Sequence, residues 1–83
     1  MVNEDPTFEE GPFFFTTSKR PNKRYIIWAT DATAAAQLYQ TREAVPSHLV
    51  STVYVGGLED VKREYQLSST QVTDLHREGY LKL

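Results

Sequence analysis

The chain has 83 residues, 40% hydrophobic and 24% charged, with nine Lys+Arg against 11 Asp+Glu for a net charge of −2. That length holds one domain, and the composition is that of a folded chain rather than a disordered or collagen-like one. The near-neutral total excludes the cationic field of a strongly basic nucleic-acid binder. The absence of cysteine excludes a disulfide or thiolate-zinc staple in a domain small enough to bury only about 60% of its unfolded surface.

Residues 1–11 carry Glu4, Asp5, Glu9 and Glu10, contain Pro6 and run into Gly11-Pro12. They predict a flexible acidic arm ahead of a single domain over 12–83. Phe13 to Thr17 is a short run of strand formers, and Arg24 to Ala29 is a second. The polar run between them centres on Pro21-Asn22, which suits a β-turn, so the pair reads as an antiparallel hairpin. Lys19, Arg20, Lys23 and Arg24 then form a basic tip.

Thr30-Asp31 offers an N-cap and an acidic first turn to a helix over about residues 31–42. Within it Ala32, Ala35, Ala36 and Tyr39 keep the i, i+3, i+4, i+7 spacing, with Leu38 at the stripe's edge, and Pro46 closes the region. His48 to Val55 holds four β-branched residues and Tyr54, which predicts a third short strand, although Leu49, Val50 and Val53 also suit a short helix. After Gly56-Gly57, the spacing of Leu58, Val61 and Tyr65 predicts a helix. Ser68 to Gln71 fits a capping box that opens another, with Val72 and Leu75 inward and Gly79 as its stop. Tyr80 to Leu83 alternates and predicts an edge strand. The expected fold is α+β: an N-terminal β-hairpin packed on a helix, a third short strand and a C-terminal pair of helices.

Six of the ten aromatic residues (Phe8, Phe13, Phe14, Phe15, Tyr25, Trp28) precede residue 29. On a strand Phe14 points away from Phe13 and Phe15, so either helices cover both sheet faces or one aromatic face awaits a partner. Catalysis finds little support. His48 and His76 have no metal-ligand spacing, there is no thiol nucleophile, Gly56-Gly57 lacks a phosphate-loop pattern, and His76 falls beside Val72 as a packed imidazole. No cofactor, metal or catalytic set is expected. No stretch approaches the roughly 18 apolar residues of a membrane span and the start lacks a secretory leader, so no membrane and a cytoplasmic location are expected.

The leading expectation is a non-enzymatic module acting by protein–protein contact, as an accessory regulator or inhibitor of the size a virus or mobile element encodes. Its partner is another protein or a second copy of the chain, bound through Phe14, Lys19, Arg20, Lys23, Arg24 and Trp28.

Residues 58–79 supply a second reading. The phrase Glu64-Tyr65-Gln66-Leu67-Ser68-Ser69-Thr70-Gln71-Val72 resembles the turn and second-helix start of the helix-turn-helix family. Lys62 stands where that family packs a small residue, and Gln66 where it places glycine. The resemblance implies a DNA-binding transcriptional regulator whose second helix presents Thr70, Thr73 and Arg77 to the major groove. Asp74 shares that face, and residues 58–83 hold four basic and five acidic side chains, a poor surface for counterion release. Val45 to Leu75 is also similar to the small helical domains of some antitoxin-type proteins, which implies helix at 48–55.

Overall fold

Three consecutive phenylalanines set the layering. In the computed structural model, which describes residues 8–19 and 22–83, Phe13 to Phe15 lie in β1 (Phe13–Ser18). The chain continues through β2 (Arg24–Trp28), α1 (Ala32–Glu43), a 3-10 turn (Ser47–Leu49), β3 (Val50–Gly56), α2 (Leu58–Tyr65), α3 (Ser69–Glu78) and β4 (Tyr80–Lys82). Strands alternate faces, so Phe13 and Phe15 go one way and Phe14 the other. Both directions are apolar because helices cover both.

The four strands form one antiparallel sheet in the order β3-β1-β2-β4. On one face α1 lays Ala35 and Tyr39 over Phe14, Tyr25, Ile27 and Val45. On the other, α2 and α3 bring Leu58, Val61 and Leu75 onto Phe13, Ile26, Leu81 and Phe8. The α+β class is as expected, with the hairpin on α1, but the sheet is the middle of three layers. Among the described residues no helix is long and apolar enough to cross a membrane.

Local chemistry sets the helix ends. Asp31 is the N-cap of α1, its Oδ1 accepting from Ala34 N at 2.8 Å, so it stands outside the first turn rather than in it. At α2, Asp60 Oδ2 accepts from Gly57 N at 3.0 Å. The capping box of α3 forms as the sequence indicates: Ser68 Oγ accepts from Gln71 N at 3.2 Å, and Gln71 Oε1 from Ser68 N at 2.9 Å. Gly79 stops α3 in the left-handed region (φ 80°).

Two boundaries change. Residues 47–49 take a 3-10 turn and β3 begins at Val50, so the strand expectation holds from there and the helical alternative is not adopted. The period-2 pattern prevails because β1 offers a full ladder partner, Ser18↔Val50 through Phe14↔Tyr54. Residues 1–7 of the expected arm lie outside the described residues. Residues 8–11 belong to the domain: Phe8 is buried against Phe13 and Trp28, and Glu9 O accepts from Leu58 N at 2.9 Å.

Candidate interaction surface

The aromatic hairpin is used up inside the fold. Phe14 is 5% exposed beneath α1 and presents no surface to a partner, contrary to its expected role. Trp28 is half-buried, its ring 5.0 Å from that of Phe8 and its Nε1 donating to Gly11 O at 3.2 Å. Helices on both faces remove the open aromatic face. At the tip, Lys19, Lys23 and Arg24 are exposed, while Arg20 lies outside the described residues. Lys19 stands with Thr17, His48 and Ser51 around a shallow hollow at the start of β3.

Thr70, Thr73 and Arg77 are exposed on α3, as the helical wheel indicates. Thr73 Oγ1 donates to Ser69 O at 3.0 Å, and Arg77 holds Asp74 at 2.8 Å and Glu78 at 3.2 Å. On α2, Lys62 and Arg63 pair with Glu59 (3.7 Å) and Asp60 (2.8 Å). The helical pair thus neutralises its own cations. Gln66 takes the left-handed turn (φ 54°) that the family gives to glycine. Gly79 O accepts from Trp28 N at 2.9 Å, and Trp28 pairs with Phe13 whereas Arg24 pairs with Thr17. Arg77 therefore lies at the end of the sheet opposite the basic tip, and the fold does not bring the two together.

His76 stacks on Phe8 with ring centroids 4.3 Å apart but is exposed rather than packed inside as expected, because it lies at the rim of the α2/α3 layer, and His48 is exposed in the 3-10 turn. Among the described residues no three His, Asp or Glu side chains gather as a metal-holding group.

The two sheet edges carry the remaining chemistry. Along β4, Tyr25 Oη donates to Glu43 Oε2, which also meets Lys82 Nζ at 3.4 Å, and the Arg42 guanidinium lies 4.4 Å from the Tyr80 ring centroid. Burial, then the neighbouring Glu43, pushes the Tyr25 hydroxyl up to about 12. The Tyr25 hydrogen bond, helped by the Lys82 and Lys23 charges against some burial, holds the Glu43 carboxyl below its ordinary range. Deeper under α1, Tyr39 Oη donates to Lys23 O at 2.9 Å, which leaves Ser18 Oγ as the donor in its 2.7 Å bond with Tyr39. This cluster ties the β4 side of the sheet to α1.

Along β3 the picture reverses. Its seven residues, Val50-Ser51-Thr52-Val53-Tyr54-Val55-Gly56, hold no charge and no proline. Val53 (56%) and Tyr54 (66%) are the exposed large hydrophobics among the described residues. They lie on opposite faces, because Val53 pairs with Phe15 and Tyr54 with Phe14. In the sheet order β3 is terminal, so among the described residues its outer row of N–H and C=O groups has no strand beside it. Native edges are usually blunted by charge, proline, brevity or a bulge; β3 has no charge or proline and is seven residues long, with one irregularity near Val55 where Phe13 pairs with Gly56 and Phe14 with Tyr54. The sequence shows the uncharged run; it does not show that the run ends a sheet.

No protein-family model, curated protein or solved structure matches the chain.

Proposed function

We propose that the chain is a non-enzymatic protein-binding module, of the accessory regulator or inhibitor kind, that accepts an extended strand from a protein on its β3 edge. The observation that carries this reading is the long, uncharged terminal strand with Val53 and Tyr54 exposed on its two faces. In strand addition, main-chain hydrogen bonds supply affinity and alternate side chains supply selectivity. Val53 and Tyr54 are placed to grip successive residues of the incoming strand from opposite faces.

Photo-crosslinking tests the reading. A benzophenone amino acid is placed at position 54 in one full chain and at position 77 in another, each irradiated in cells that express it. Protein adducts at 54 and none at 77 are expected. An absence of adducts at 54, or equal yields at both positions, would refute the reading.

A further inference from the structure

We infer that the strand received by the β3 edge is β3 of a second copy, giving a two-fold dimer with one continuous eight-stranded sheet. The inference rests on the reading of β3 as a strand acceptor and names its occupant. Three features of the edge point to self-pairing.

The first is register. A two-fold axis normal to the sheet keeps each face in place, so antiparallel partners come from the same face. Centring that axis at Val53 sets Val53 against the second copy's Val53 on the α2/α3 face. On the α1 face it sets Tyr54 against the second copy's Thr52, and Thr52 against the second copy's Tyr54. One register therefore covers both exposed hydrophobics, with cross-strand pairs of β-branched and aromatic residues that favour sheets.

The second is the absence of charge along the strand. In a self-paired antiparallel ladder every charged residue meets its own strand, and like charges directly opposite are destabilising. β3 contributes none. The regular stretch about the axis, residues 52–54, adds about two to four backbone hydrogen bonds between copies, the strand being irregular beyond Tyr54.

The third is the polarity of the two strand ends. Lys19 and His48 flank the start of β3. Beyond its far end, Glu9 lies over Gly57 and Leu58, and the Glu59 side chain is 84% exposed in a surface pair with Lys62. Antiparallel pairing brings the Lys19 end of each copy to the Glu9 end of the other, twice by symmetry, Glu59 being already paired with Lys62.

The test uses the full chain, with mass measured by light scattering or sedimentation from micromolar to hundreds of micromolar. Wild type is expected to move from one chain mass to two as concentration rises. Val53→Lys and Val53→Glu each place like charges across the axis and are expected to stay at one chain mass, with circular dichroism unchanged. An equimolar mixture of the two is expected to regain the two-chain mass, because the charges then oppose. If either variant fails to fold, Thr52→Lys/Tyr54→Lys places two like-charge pairs on the other face and is expected to remain a single chain. Self-pairing is overturned by a wild type that stays monomeric throughout, by variants that dimerise as wild type does, or by folded variants whose mixture does not associate. A monomeric wild type that still crosslinks at position 54 to a different protein overturns self-pairing and leaves strand acceptance standing. Absence of any adduct removes both.

Discussion

The two edges of this sheet are built on opposite plans. The β4 edge is three residues long and carries Lys82, which with Tyr25 and Glu43 ties it to α1, while Arg42 covers Tyr80. The β3 edge is seven residues long, uncharged, and exposes Val53 and Tyr54. Both edges border the same pair of central strands, so the common core does not account for the difference. Brevity and charge at an edge discourage pairing with another chain. One edge is short and charged, and the other is long and uncharged.

The largest stability effect is expected where β4 meets the core. Leu81→Ala removes a side chain only 8% exposed and should lower unfolding stability by about 2–5 kcal/mol in urea titration. An effect near zero would mean that β4 is a frayed end rather than a locked edge. Tyr25→Phe removes the hydroxyl donated to Glu43 and should cost about 1–3 kcal/mol by the same measurement. Lys82→Gln breaks a half-exposed ion pair and should cost less than about 1 kcal/mol. Val53→Lys should change the stability of the monomer by no more than about 0.5 kcal/mol, because the side chain stands mostly in water, while abolishing association. A large loss of monomer stability in Val53→Lys would show that Val53 serves the fold, and the contrast between the edges would fail.

The locked edge also carries its own pH dependence. Glu43 is held below its ordinary range, so its contribution is present above the unfolded carboxylate value and is lost as pH falls through the depressed folded value. Tyr25 is raised, so its contribution is present below the ordinary 10.0 and is lost as pH rises toward about 12. Unfolding stability in urea titration should fall in both limbs. Tyr25→Phe should remove the alkaline limb and, with the hydrogen bond that chiefly depresses Glu43, weaken the acid limb, which Glu43→Gln should remove. An alkaline limb that survives in Tyr25→Phe would assign it elsewhere.

Much of the local structure is legible in the sequence because it is written in neighbouring residues. The Ser68/Gln71 capping box, the Gly79 stop, the Leu58, Val61 and Tyr65 spacing and the division of Phe13 and Phe15 from Phe14 all concern groups a few positions apart. What escapes is set by long-range packing. That Phe8 closes the core belongs to contacts with Phe13, Trp28 and His76, the last 68 positions away. The same limit hid the exposed edge. Phe14 and Trp28 are large and clustered, which draws attention to them, yet their size is what the two cores consume. Val53 and Tyr54 look like ordinary strand residues, and they are exposed on a strand that β1 takes on one side and that no strand among the described residues takes on the other. Strand order decides that, and strand order has no local code.

Hydrogen exchange resolved amide by amide along β3 bears most directly on the open edge. In an antiparallel sheet alternate residues of an edge strand direct their amides outward. In dilute solution every second amide of β3 should exchange at nearly the free-peptide rate while those bonded to β1 stay protected. On association, at high concentration or with a crosslinked partner, the fast set should become protected, with the outward amides of β4 unchanged. Protection of all β3 amides in the dilute monomer, or a fast set that stays fast when the protein is associated, would contradict the account.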